Sequence, residues 1–362
     1  MSYVSANLIP CPTIQGILID NFETCNAEFK RDYHPFFDFL VSDMNSSGLK
    51  QKVYPGAGKL RTVELIYGHK IPLSEVTEKN GNITCDATTK RGESSVTYTI
   101  DPLVGFKVEQ KITLLDWVTT CRDNPTQIAL IIQKMMNAMV DKLAVDFSES
   151  VVTNNIGVWN SGAKNYDGTA IVGGKLVVPT EIPSANTVKG GEIQKKTLQH
   201  VRNQLMRTKY CGTPIFFGGM DYFEYLQMMN LGCCASDGLS VEKIAAAFGY
   251  VNMWDENVAT ALGGDDYTLI TQPHALAVLE FAENEQYNGI NMDMGSDFVP
   301  QVYQDPASGL KFNLNISFRC PGEVHLIMWD AHKVVALPTD VYAAGDSNSG
   351  VTYVNKLQVV NT

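Results

Sequence analysis

A chain of 362 residues with 44% hydrophobic and 19% charged side chains can bury a sizeable core, in two or three domains or one elaborate domain. Its net charge of −11 excludes a protein that grips nucleic acid through a basic stripe. No apolar run approaches the ~20 residues of a membrane-spanning helix, and the N-terminus lacks the basic and apolar regions of a signal peptide.

Residues 1–50 read as an irregular arm whose apolar side chains (Phe22, Phe29, Phe36, Phe37, Phe39, Leu40) form short helical pieces in need of a packing partner. The character changes over 51–118. Val63, Leu65 and Tyr67 alternate with polar residues, as do Val96, Tyr98 and Ile100, and later Phe106, Val108 and Ile112. Period two marks half-buried strands. Between the runs lies a polar stretch with turn signals at Asn80-Gly81 and Arg91-Gly92. The segment reads as a long two-stranded ribbon with a polar tip. Such a ribbon is marginal alone, so it must pack on this chain or on a neighbour.

Residues 125–152 follow as one long helix. Asn124 suits the N-cap and Pro125 the first helical position. Ile128, Ile132, Met135, Met139, Leu143 and Phe147 recur at steps of three and four on one face. Gln133, Lys134, Asn137, Asp141, Asp146 and Glu149 cover the other. At ~1.5 Å per residue the helix is about 40 Å long, a strut more than a catalytic element. Its apolar face is expected to pack on strands around 312–335.

A Gly- and Asn-rich connection (154–174) leads to a strand, KLVVPTEI. A second helix is expected over about 191–209, with Ile193, Leu198, Val201 and Leu205 inward and Lys195, Lys196, Arg202 and Arg207 solvated. Residues 214–217 (PIFF) read as a short buried strand. Helices over 220–231 and 241–248 and strands over 250–254 and 267–271 come next. Pro273 opens one more short helix, HALAVLEFAE. The end is strand-rich: LKFNLNISFRC, EVHLIMWDAHKVVAL and VTYVNKLQVV. The class is α+β, with late strands pairing with early ones.

Reactive constellations are scarce. Gly56-Ala57-Gly58-Lys59-Leu60 fails as a phosphate loop, because Leu60 replaces the magnesium-binding hydroxyl and Val53 the first glycine. Asn291, Asp293, Gly295 and Asp297 have a calcium-like spacing, but Val302 stands where the bidentate glutamate should be. His325 on an apolar strand and His332 in the next turn read as structural. Asp265 and Asp266 read as turn residues after Gly263-Gly264. Cys11, Cys25, Cys85, Cys121, Cys211, Cys233, Cys234 and Cys320 contain no C-x-x-C and read as reduced thiols of a cytoplasmic protein. Met135, Met136 and Met139, with Met228 and Met229, read as adaptable core packing. No catalytic, cofactor-binding or metal-binding residue is expected, and the chain is not expected to be an enzyme.

The order of elements resembles the HK97-like major capsid proteins of tailed bacteriophages. Passages that carry the resemblance are TPIFFGGMDYFEYLQ, DYTLITQPHALAVLEFAENE and LNISFRCPGEVHLIMWDAHKVVAL. The resemblance implies an N-terminal arm (1–50), an extended E-loop hairpin (51–118), a P-domain (119–189 and 306–362) holding the spine helix, and an A-domain (190–305). It implies a structural subunit that self-assembles into pentamers and hexamers of an icosahedral head shell around viral DNA. The implied location is the virion capsid, assembled in the host cytoplasm. Implied partners are copies of the chain, portal, scaffolding and decoration proteins, and weak non-specific contact with packaged DNA, with no membrane. Many relatives begin with a coiled-coil scaffolding segment, which this sequence lacks, so scaffolding is expected to be separate or already removed. Some relatives cross-link subunits; Lys59, Lys79 and Lys90 are candidates, but nothing selects one and no cross-link is expected. Two alternatives remain: an encapsulin-like compartment shell, and an α+β hydrolase using Asp255, Glu256, Asp265, His274 or His325.

Overall fold

The computed structural model describes residues 31–46, 50–55, 61–68, 93–100, 104–113, 124–180 apart from 158, 160, 161 and 173, 190–221 apart from 209, 211 and 212, 246, 249–280, 299–336 apart from 307, 321, 322 and 331, and 353–361. The elements run α1 (Pro35–Ser46), β1 (Lys50–Pro55), β2 (Arg61–Gly68), β3 (Glu93–Ile100), β4 (Lys107–Thr113), α2 (Asn124–Asn154), β5 (Lys175–Thr180) and α3 (Gly190–Arg207). Next come β6 (Ile215–Gly218), β7 (Val251–Trp254), α4 (Glu256–Leu262), β8 (Tyr267–Thr271), β9 (Leu276–Glu280) and β10 (Val299–Gln304). The series closes with β11 (Lys311–Cys320), β12 (Glu323–Trp329), β13 (His332–Ala336) and β14 (Val354–Asn361). The class is α+β, as expected.

The long helix α2 extends just past both ends of the expected 125–152. Ile128, Ile132, Met135, Met139, Leu143 and Phe147 are all buried. So is a second row, Ala129, Met136, Val140, Ala144 and Val151. The polar face is narrower than expected. Lys134, Ala138, Lys142 and Glu149 are exposed, Asn137, Asp141 and Asp146 are half-buried, and Gln133 is only 4% exposed. The reason is crowding: α2 meets β12 and β13 as expected, but also α1, α4 and β4. A helix approached from several sides keeps only a narrow stripe for water.

The described strands form four sheets. A five-stranded mixed sheet has the order β5-β14-β8-β6-β7. Its strands alternate between two cores, as period two requires. Ile215, Phe217, Leu269 and Val354 face the α2 core. Phe216, Ile270, Leu357 and Val359 face Leu198, Val201 and Leu205 of α3. In this sheet β14 pairs parallel with β5, and antiparallel with β8, so the C-terminal strand lies between early and middle ones. Glycine is required at 219, where an added Cβ would lie 2.2 Å from the Asp265 carbonyl oxygen.

The ribbon differs from expectation in two ways. It is a three-stranded sheet, β1-β2-β3, in its described part. The expected outer run also leaves it after β3, and β4 joins the four-stranded sheet β10-β11-β12-β4. The expected run EVHLIMWDAHKVVAL likewise splits at Asp330. β12 stays in the four-stranded sheet, while β13 pairs with β9 in a separate two-stranded sheet. The helix expected after Pro273 is instead strand β9. Its residues Leu276, Ala277, Val278 and Leu279 are all buried, and a run apolar on both faces has no period to tell strand from helix. Helix α4 and strand β10 were not expected at all. Residues expected to form helices over 222–231 and 241–245, the glycine-rich 56–60, the tip at 69–92, and the calcium-like 291–298 lie outside the described residues.

Candidate functional site

Two polar junctions organise the described molecule, and the first fastens α1. Phe36 and Phe37 are buried at 0% and 1% exposure. Phe36 meets Phe217 edge-on at 5.0 Å, and Phe37 stacks on Phe147 of α2 at 5.7 Å. The Phe36 N–H donates to Asp255 Oδ2 at 2.9 Å, while Asp255 Oδ1 accepts from the Val258 N–H at 3.1 Å and so caps α4. One buried carboxylate thus ends two helices. His34 Nε2 lies 2.9 Å from Asp141 Oδ1 on α2. At the other end of α1, Asp43 Oδ2 accepts from the His274 N–H at 2.7 Å, and Asp43 Oδ1 lies 3.2 Å from His274 Nδ1. That grip holds His274 at φ 63, a conformation side chains other than glycine rarely adopt. Burial pushes the Asp43 carboxyl above its usual pKa, opposed by the backbone bond and charge of His274. Residues 35–46 thus find in the core around α2 the packing partner that the apolar side chains of 1–50 call for. Beside them opens a cleft of about 390 Å³ walled by Tyr33, Phe39, Ser42, Met253 and His274.

The second junction lies under the ribbon. Val63 and Ile100 of the ribbon pack on Ala277 and Leu279 of β9 and Val335 of β13. Asp330, between β12 and β13, accepts from the Phe106 N–H through Oδ1 at 2.7 Å, which ties the corner before β4 to the closing strands. Glycine suits position 105 because a Cβ there would meet the Asp330 carbonyl oxygen at 3.0 Å. Asp330 Oδ2 lies 3.4 Å from His332 Nδ1, and Glu280 Oε2 lies 3.7 Å from His332 Nε2. Both separations are long for hydrogen bonds, so the ring sits between two carboxylates without a tight bond to either. Its side chain is 0% exposed. Burial alone would pull the His332 pKa down; contact with Asp330 and Glu280 outweighs it and pushes the pKa up to about 9.

No spacing in the sequence announces this cluster. Glu280, Asp330 and His332 converge because β9 and β13 pair with His332 opposite Glu280. The residues of the hydrolase alternative do not converge. Asp255 caps α4, Glu256 begins it, Asp265 takes an N–H from Asp221 in a turn, and His274 is held by Asp43. His325 lies on β12 beside Glu323, whose carboxyl the Lys111 ammonium holds below the usual range. Among the described residues no group of His, Cys, Asp and Glu has metal-holding geometry, and no helix is long and apolar enough to cross a membrane. Lys59, Lys79 and Lys90 lie outside the described residues.

No family model and no curated protein matches the chain. Several solved structures are similar to it over most of their length. The capsid of the cyanophage P-SCSP1u is 12% identical, with 92% of this chain and 90% of that chain covered and a TM-score of 0.43. A structure from Mycobacterium phage Adephagia is 12% identical, with 90% of each chain covered and a TM-score of 0.42. The capsid of a native GTA particle is 10% identical, with 92% and 93% covered and a TM-score of 0.42. All three fall below a TM-score of 0.5, so what this chain does has to be read from its own residues.

Proposed function

We propose that this chain is a shell-forming structural protein, the major capsid protein of a tailed-phage head with an HK97-like arrangement. The order and interleaving of its elements carry the proposal. A ribbon, β1-β2-β3, precedes a 31-residue spine, an α/β lobe follows, and the last strands return to close on the first. The return is literal: β12 pairs with β4, and β14 pairs with β5. Such a chain offers its ribbon and its lobe as separate surfaces around a largely buried spine. Repeated heterologous contacts between such surfaces close around symmetry axes. Each contact can be modest, because every subunit makes several.

In this reading 1–50 is the N-terminal arm, 51–118 the E-loop, 119–189 with 306–362 the P-domain, and 190–305 the A-domain. The five-stranded sheet would be the joint of the last two, since β5 and β14 come from one and β6, β7 and β8 from the other. The partners are other copies in pentamers and hexamers, with portal, scaffolding and decoration proteins, inside a virion assembled in the host cytoplasm. A net charge of −11 suits a wall that packaged DNA touches only weakly. The role is structural and not enzymatic. Expressing the chain alone and with its scaffold, followed by electron microscopy, tests this. Icosahedral shells, pentamers or hexamers are the expected particles, and a compact monomer at high concentration in both preparations would overturn the proposal.

A further inference from the structure

The ribbon rests on the two-stranded sheet of β9 and β13. Tyr98 of β3 adds a bond from its hydroxyl to the Ala336 carbonyl at 3.4 Å. Two strands are marginal on their own, so the ends of this platform matter. One end is closed by the directly opposed pair His332 and Glu280. The ring that closes it is wholly buried and touches a second carboxylate, Asp330. We propose that His332 is held as an imidazolium and acts as a pH-sensitive clasp, fastening the ribbon's platform to the body. The proposal stands on this chain's own geometry and holds whether or not the chain forms shells.

The charges around the ring leave it one role. Glu280 faces it from β9 and Asp330 from the turn after β12. Asp146 of α2 stands near enough to Asp330 to feel its charge, and burial, Asp330 and Glu149 together raise the Asp146 pKa against the pull of Lys142. The Lys142 ammonium lies 5.1 Å over the Phe106 ring. From β11 the Phe312 ring meets the His332 ring edge-on at 5.7 Å. The surroundings are thus dominated by carboxylates, and the imidazolium is the cation placed among them. Neither flanking carboxylate can simply turn away. Asp330 holds the Phe106 N–H, and Glu280 Oε2 accepts from the Lys311 N–H at 3.3 Å. Loss of the proton leaves the buried Asp330 and the partly buried Glu280 beside a neutral ring, a costly arrangement. Relief requires the platform's end to open and the corner before β4 to loosen.

The folded pKa, about 9, lies above the ordinary value of 6.5. The stabilisation is complete below the ordinary value, falls as pH rises toward 9, and is flat beyond it. The test uses the full wild-type chain, with its six histidines carbon-labelled for NMR and with hydrogen exchange corrected for its intrinsic pH dependence. One imidazole should titrate above about pH 8, against an ordinary value of about 6.5. Protection of 276–280 and 332–336 should fall about tenfold per pH unit between those limits, while α2 keeps its protection. His332→Gln should show the reduced protection already at neutral pH, with no further pH step. Imidazoles that all titrate near about 6.5, or protection in the two strands that does not move with pH, would overturn the proposal. Should the variant not fold, the wild-type titration decides alone.

Discussion

Helix α1 and the ribbon are fastened to the same body in opposite ways. α1 inserts two phenylalanines into the core around α2, and its polar groups meet caps: Asp255 on its first turn and Asp43 against the His274 N–H. The ribbon's described contacts are a small patch, Val63 and Ile100 on three platform residues, and the Tyr98 hydroxyl on the Ala336 carbonyl, backed by a buried ionic cluster. An element sealed by large apolar side chains comes off only when the core unfolds. One held by a small patch and a titratable ring can loosen alone.

The sharpest way to break the comparison is to cut each attachment at its apolar contact. Phe37→Ala should cost about 3–5 kcal/mol, since it empties a fully packed site against Phe147. It should lower the single global melting transition. Val63→Ala removes about two methylene equivalents and should cost about 1–2 kcal/mol. Its effect should appear as faster exchange in β2, β3 and β9, with the melting temperature nearly unmoved. Calorimetry beside local hydrogen exchange reads both, and a ribbon variant that lowers global melting as much as Phe37→Ala would erase the distinction.

The next effect concerns the caps. Asp255→Ala leaves the Phe36 and Val258 N–H groups buried without acceptors. The expected cost is about 2–3 kcal/mol, which combines a lost N-cap with an unsatisfied donor. Because one carboxylate serves two helices, α1 and α4 should lose exchange protection together. Loss confined to α4 would mean that α1 is held by its phenylalanines alone.

What the sequence could say divides along the same line. The strut α2 was legible because its apolar steps run over many turns, and α3 and the half-buried strands were legible by their clean periods. Helix α4 carried its signals, Asp255 before it and Gly263 after it, but seven residues are too few for periodicity to outweigh a turn. β9 was misread because both its faces are buried. The corner at Asp330 was invisible because an apolar run continues across it while the strands change sheets. The narrow polar stripe of α2 depends on how many neighbours crowd it, and that is a tertiary fact. For the same reason the His332 cluster was beyond reach: its partners are fixed by the register of β13 on β9, and a histidine beside an apolar strand is usually structural. It is structural here too, set between two carboxylates.

The smallest predicted effect tests whether burial, and not proximity, gives that charge its weight. Lys107 follows Phe106 at the same corner, and its Nζ lies 2.7 Å from Glu109 Oε1. That is a full ångström shorter than the His332–Glu280 separation of 3.7 Å. On distance alone the lysine pair should be the stronger. Its side chains are 69% and 56% exposed, however, whereas His332 is 0% exposed. Water and salt screen the first pair, and holding two long side chains together costs entropy, so Lys107→Ala should change stability by less than about 0.5 kcal/mol. His332→Gln should cost more, because it removes the cation set between the buried Asp330 and the partly buried Glu280. Denaturation of both variants at low and high salt separates the cases. The lysine variant's small effect should vanish with salt, and the histidine variant's should persist. A larger loss for Lys107→Ala than for His332→Gln would show that the corner is held from its surface and not by its buried ring.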